Sequence, residues 1–232
     1  VMSKNIKKIH YQITNSNFNH SIKYESYIDG LRAIAVIAVI LYHAQITIFN
    51  SQPFKGGFIG VDIFFVISGY LITCLILKEL KINQKFSFLN FYERRARRLL
   101  PALFFVMVFS LPLAWFYLLP NNFLDYSKSI IFSIFFTSNF YFHFTGLEYG
   151  APDSLLKPFL HTWSLAVEEQ FYIIFPILLI IIFKYFQKYL FKILIIIFFV
   201  SLFFAEYSAR NNPSANFYFL HTRMWELIAG SF

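Results

Sequence analysis

Residues 58–77 read Phe58-Ile59-Gly60-Val61-Asp62-Ile63-Phe64-Phe65-Val66-Ile67-Ser68-Gly69-Tyr70-Leu71-Ile72-Thr73-Cys74-Leu75-Ile76-Leu77. Only Asp62 carries a charge, and twenty apolar residues is the length an α-helix needs to cross the hydrocarbon of a bilayer. The run is entered through a turn-like Lys55-Gly56-Gly57 and followed by Lys78, Lys81 and Lys85. Similar runs lie on either side: Leu31 to Phe49 before it, then Leu99 to Leu119, Ser164 to Phe183, Leu190 to Ala205, and a last one from Phe217 to Phe232. Pro101 falls in the first turn of its run, where a missing N–H costs little. The expected fold is therefore all-α, a polytopic transmembrane helix bundle.

Composition agrees. Apolar residues make up 58% of the 232 residues and aromatics 22%, against roughly 45–50% apolar in a soluble domain. The net charge of +8 suits nucleic acid less than it suits a membrane protein, because the basic residues flank apolar blocks. The aromatics sit inside those blocks instead of alternating with basic residues, as a nucleic-acid stacking surface requires. Cys74 is the single cysteine, which excludes an intrachain disulfide and a cysteine-based zinc site. The first 25 residues have no apolar centre, so no secretory signal is expected, and no histidine spacing suits a metal.

Lysine and arginine positions orient the crossings. Residues 1–25 read as a polar cytoplasmic tail, and residues 26–232 as one membrane domain. The Lys78–Arg98 region and the cluster Lys184, Lys188 and Lys192 should share the cytoplasmic side with that tail. This works only if one crossing separates Leu119 from Lys184. The shorter segment Ile130 to Phe144 is then expected to be re-entrant or interfacial, with Gly146 to Thr162 and Glu206 to Asn216 on the outer side. The last apolar run stops at Phe232, so the sequence reads as the N-terminal part of a longer protein.

Charges inside apolar runs are costly and usually face a protein interior. His43 lies eleven residues after Arg32 on one helix, about 16 Å along its axis. Histidine can take a proton from a hydroxyl near neutral pH, though a buried histidine bonded to a neighbouring helix has the same spacing. Asp62 either favours the dipole of its helix start or meets a cation from another helix. Ser68 and Gly69, before Tyr70, suit close helix packing. No nucleophile elbow surrounds Ser68. Arg94, Arg95, Arg97 and Arg98 either anchor the topology or hold phosphates, which guanidinium forks match two oxygens at a time. His161, Glu168 and Glu169 cluster at the start of the Ser164 run, and the two adjacent acids cannot face the same way. Arg223 and Glu226, three apart, share a helix face. A multi-pass transporter or a structural membrane partner fits these buried charges too, although no internal repeat of the transporter type is visible.

Five blocks of sequence resemble the acyltransferase family 3 membrane enzymes. They are Tyr27-Ile28-Asp29-Gly30-Leu31-Arg32 with Tyr42-His43, the stretch from Gly57 to Ile72, Phe91-Tyr92-Glu93-Arg94-Arg95-Ala96-Arg97-Arg98-Leu99-Leu100-Pro101, His161-Thr162-Trp163-Ser164-Leu165-Ala166-Val167-Glu168-Glu169-Gln170-Phe171-Tyr172, and Thr222-Arg223-Met224-Trp225-Glu226-Leu227. The resemblance runs in order from about residue 25 to the end. It implies a bacterial inner-membrane bundle of roughly ten helices, about six of them here. It also implies O-acylation of envelope glycans such as lipopolysaccharide O-antigen, peptidoglycan or exopolysaccharide. The donor would be acetyl-CoA or another acyl-CoA, with no permanently bound cofactor. The family's arginine, ten residues and histidine fall on Arg32 and His43. Its Arg-x-x-Arg motif fits Arg95 and Arg98, and equally Arg94 and Arg97. Some members carry a C-terminal extracytoplasmic domain. On this resemblance His43 becomes the expected base, with Glu168 or Glu169 as its orienting partner. Acylation of a small molecule other than a glycan remains a rival reading.

Overall fold

The computed structural model describes residues 25–47, 52–146 and 157–232. The N-terminal tail and most of the expected outer loop from Gly146 to Thr162 lie outside them. Among the described residues there is no β-strand. The helices are α1 (Ser26–His43), α2 (Ile59–Asn83), α3 (Phe88–Tyr117), α4 (Pro120–Ile134), α5 (Ser138–Phe144), α6 (Thr162–Phe186), α7 (Leu190–Asn211), α8 (Pro213–Tyr218) and α9 (Leu220–Ala229). Four stretches of the described chain, Ser26–His43, Lys55–Asn83, Phe88–Tyr117 and Thr162–Asn211, are long and apolar enough to cross a membrane. The last is α6 and α7 in succession, joined by the single 3-10 turn Gln187–Tyr189.

Contacts between helices fix their directions. Gly57 and Gly60 lie against the Ala38 and Ala35 carbonyls, while Tyr70 at the far end of the pair bonds Glu25. Helix α1 is thus antiparallel to α2. Phe65 meets Trp163 and Ser68 meets Glu168, so α6 runs parallel to α2. Tyr92 and Arg95 meet Tyr172, so the start of α3 lies beside the interior of α6. Asp62 pairs with Arg223 and Thr73 bonds Ser231, which makes α9 parallel to α2. Helix α7 opposes α9 through Ser201, which accepts from Trp225 N and donates to the His221 carbonyl. Together these directions gather the start of α1, the end of α2, the start of α3 and the α6–α7 turn at one end. The basic clusters expected to share a side therefore do share an end, and His43 lies at the other.

Several boundaries differ from the sequence reading. Helix α1 begins at Ser26 and ends at His43, because Gln45 adopts φ +48°. The apolar residues after it extend the hydropathy window without extending the helix. His43 is therefore the last residue of α1, exposed at the mouth of the bundle. Helix α3 starts eleven residues earlier than expected, capped by Ser87, whose Oγ accepts from Asn90 N at 3.4 Å. The four arginines thus ride on its first turns instead of a preceding loop. Glu206 to Asn211 continue α7 as helix, and Glu206 pairs with Arg210 one turn on. The last apolar run is broken at Phe219 into α8 and α9.

The Ile130 to Phe144 segment is two helices, broken at Phe135–Thr137 with φ +52° at Phe136. Helix α4 leaves the end of α3 and runs back along it, with Tyr126 on Ser110. At the break, the Phe136 carbonyl accepts from Gln170 Nε2 at 3.0 Å, more than two turns inside α6. Helix α5 then returns, placing His143 on Ser214. The segment is re-entrant. Irregular backbone at such depth survives only where protein satisfies it. Here Gln170 does so for Phe136, and Asn139 holds Gln170 by exchanging bonds with it while donating to the Tyr218 carbonyl.

The main core packs Phe65, Ile72, Ile76, Trp163, Phe171, Phe175 and Leu227 between α2, α6 and α9. Much of α3 faces outward with Phe105, Val108, Phe109, Trp115 and Phe116 exposed, as a lipid-facing helix requires.

Candidate active site

Two clefts meet in the bundle. The first, of about 470 Å³, is walled by Arg32 from α1, Ser68 from α2, Arg95 and Arg98 from α3, and Glu168 and Tyr172 from α6. A smaller recess of about 230 Å³ extends it toward the basic end along Arg94, Arg95, Arg98 and Tyr172. The second cleft, of about 620 Å³, opens at the other end beside His43, Lys55, Lys157 and His161. His161 stands in the wall of both large clefts.

The inner cleft is organised around Glu168. Ser68 Oγ donates to its Oε1 at 2.8 Å, and Tyr172 OH, one turn along α6, donates to Oε2 at 3.4 Å. Arg95 and Arg32 both lie within electrostatic reach of this carboxylate. The Arg95 guanidinium lies over the Tyr172 ring at 4.1 Å from its centre. Such stacking fixes the plane of the fork and leaves its N–H groups for a ligand. Among its described lining residues three guanidinium groups stand against one carboxylate, and Arg32 is also paired with Asp29 at 3.1 Å.

The arginine cluster divides. Arg95 and Arg98 line both inner spaces, whereas Arg97 points away and pairs with Glu93 at 2.7 Å. Arg94 approaches Glu79 at 3.9 Å and reaches only the recess. Helical periodicity explains the split, since residues three apart share a face.

At the outer cleft, His43 Nδ1 lies 2.9 Å from the Val39 carbonyl. A carbonyl only accepts, so Nδ1 carries the proton of the neutral ring and Nε2 keeps the lone pair. Glu168 is held by Ser68 and Tyr172, and Glu169 turns into the bundle, 9% exposed, with no hydrogen bond to its Oε1 among the described residues. His161 is exposed to the clefts, yet the protein about it lowers its imidazole from the usual range, opposed by a backbone hydrogen bond with Pro158 and helped by the nearby His43.

The remaining expected residues lie apart from the clefts. Arg223 Nη1 bridges Asp62 at 3.1 Å and Glu226 at 2.7 Å, and its guanidinium packs over Phe217 and Trp163. Asp62 thus meets a cation from another helix. Tyr70 donates to Glu25 beside the start of α1. Among the described residues no cluster of metal-ligating side chains occurs. Sequence reasoning missed Tyr172, whose spacing four residues after Glu168 on one helix was a usable signal. It also missed Lys55 and Lys157, which carry no motif.

The family model described as an acyltransferase domain, that of acyltransferase family 3, matches residues 25–232. The chain belongs to acyltransferase family 3. It is 40% identical over 215 residues to the peptidoglycan O-acetyltransferase OatA of Listeria monocytogenes, a match covering 91% of this chain and 34% of that protein. It is 41% identical over 160 residues to the O-acetyltransferase OatA of Staphylococcus aureus, covering 69% of this chain and 25% of that protein. The chain thus spans about a third or less of the length of these relatives. No solved structure matches it. Within this acyltransferase domain, four of the five resembling blocks contribute side chains to the two clefts; the fifth supplies Arg223 and Glu226 to the ion bridge apart from them.

Proposed function

We propose that this acyltransferase domain moves an acyl group, acetyl in the first instance, from acyl-CoA at the cytoplasmic face to a hydroxyl of a cell-envelope glycan on the outer side. The observation carrying this reading is the pair of clefts that share His161, with arginines at one end and His43 at the other. The concentration of lysine and arginine at the Arg94–Arg98 end supports a cytoplasmic side for that end, and with it the start of α1 at the cytoplasmic face of a bacterial inner membrane.

In this mechanism Arg95, Arg98 and Arg32 hold the donor's phosphates, and the thioester reaches past Tyr172 and His161. His43 Nε2 takes the proton of the acceptor hydroxyl. The hydroxyl oxygen attacks the thioester carbonyl, the carbon–sulfur bond breaks, and the thiolate leaves with the proton passed on from His43. General-base removal of this kind contributes about 10²–10⁴-fold. His43→Ala in the full-length protein should abolish envelope acetylation, measured by mass spectrometry of released sugars, while the protein remains membrane-inserted. Unchanged acetyl content in that strain would defeat the assignment.

A further inference from the structure

The outer cleft has a charge character that proton removal does not need. Its wall contains Lys55 at the entry to α2 and Lys157 near the start of α6, and no carboxylate among the described residues. Lys157 is already engaged by Asp125. Lys55 is exposed, and no described carboxylate lies within ion-pair distance of it. An ammonium at the rim of a cleft favours an anionic ligand, and more so as the ligand displaces water.

The same wall carries two amides, Gln45 and Gln52, and two aromatic rings, Tyr42 and Phe58, set edge to face at 5.9 Å. Amides offer a donor and an acceptor side by side, which matches vicinal hydroxyls. Aromatic faces take the apolar face of a sugar ring. A lipid headgroup would use the ammonium but has no need of the amides or rings, and a few convergent polar groups in an apolar cleft mark a site for a discrete ligand.

We propose that the outer cleft is the acceptor subsite and selects a carboxylate-bearing sugar, with Lys55 as the specificity residue that pairs with the carboxylate. This rests on the proposed assignment of the His43 end as the acceptor side. Lys55 then orients the ring so that a hydroxyl, and not the carboxylate, faces His43 Nε2.

The test measures binding of methyl glucuronide and methyl glucoside to the full-length protein in nanodiscs, by ligand-observed NMR titration. The two probes differ at one carbon, where one has a carboxylate and the other a hydroxymethyl group. The uronide should bind about five- to tenfold more tightly, and Lys55→Gln should remove most of that preference by weakening the uronide. Lys55→Arg should retain it, and Lys128→Gln, a lysine outside the cleft wall, should have no effect. Equal binding of both probes, or a preference insensitive to Lys55→Gln, overturns the inference. So does a Lys55→Gln effect confined to discs of phosphatidylglycerol, which would make the ligand a lipid phosphate. Acetyl content of the envelope in the wild-type and His43→Ala strains reads the proposed reaction separately, so either idea can fail alone.

Discussion

Ser68 Oγ and Glu168 Oε1 meet at 2.8 Å across α2 and α6, one hundred residues apart in sequence. The bond holds the only carboxylate among the described residues in the wall of the arginine-lined cleft. A carboxylate accepts from both Ser68 and Tyr172, whereas an amide would present one acceptor and one donor to two donors. Glu168→Gln should therefore disturb the cleft more than Ser68→Ala. The expected fall in acetyl transfer is tenfold or more for Glu168→Gln and smaller for Ser68→Ala, since a lost charged hydrogen bond is worth about 1.5–3 kcal/mol. Labelled acetate incorporated into envelope glycan measures both. Full activity in Glu168→Gln would mean that the carboxylate serves packing alone.

The arginines give a sharper contrast. Arg95 faces the cleft over Tyr172, while Arg97 pairs with Glu93 on the surface. Arg95→Ala and Arg98→Ala should raise the KM for acyl-CoA about 10–100-fold, the value of one or two charged hydrogen bonds to phosphate. Arg95→Lys should recover little, because an ammonium neither forks nor stacks as a guanidinium does. Arg97→Ala should change KM by less than about threefold, as exposed i,i+4 pairs contribute little. Inverted membrane vesicles supplied with labelled acetyl-CoA give these constants. A larger effect at Arg97 than at Arg95 would reverse the register.

Much of this arrangement was legible in the sequence because bilayers impose long-range rules on local composition. Leu99 to Leu119 and Ser164 to Phe183 are found by length and hydropathy alone, and charge counting requires the re-entrant segment between them. The break at Phe136 was not legible, since its satisfaction by Gln170 depends on a partner 34 residues away. The end of α1 at His43 was hidden because Ile46 is apolar without being helical. For the site, block resemblance picked out Arg32, His43 and Glu168, but only packing separates Arg95 and Arg98 from Arg94 and Arg97. Lys55 has no motif and becomes visible only when the turn before α2 folds against the end of α1.

Helices α2 and α9 touch backbone to backbone. A Cβ at Gly69 would stand 1.7 Å from the Leu227 carbonyl oxygen, and one at Gly230 would stand 1.9 Å from that of Val66. No rotamer can relieve a clash with backbone, so Gly69→Ala must part the helices and pull Arg223 from Asp62. We expect a loss of about 1–3 kcal/mol, the usual range for overpacking. Gly30→Ala provides the control: its Cβ would meet open space, so better helix propensity should stabilise it by up to about 1 kcal/mol. Thermal unfolding of the detergent-solubilised full-length protein compares the two. Equal melting temperatures would show that the α2–α9 contact is looser than drawn.

The re-entrant segment rests on the Asn139–Gln170 pair. Gln170 Nε2 serves both Asn139 Oδ1 at 2.9 Å and the Phe136 carbonyl at 3.0 Å, and Asn139 Nδ2 serves the Tyr218 carbonyl at 3.1 Å. Asn139 is fully buried, so each amide removed alone leaves unsatisfied groups on the other, at about 1–3 kcal/mol. Removing both replaces two stranded amides by apolar contact, although the Phe136 carbonyl still loses its donor. Gln170→Leu and Asn139→Leu should each lower the melting temperature, and the double variant should fall short of their sum by at least about 1 kcal/mol of coupling. Hydrogen exchange should quicken at residues 136–139 in Gln170→Leu while α6 stays protected. Additive effects, with exchange unchanged at the break, would mean that α4 and α5 are held by their aromatic contacts and not by this amide pair.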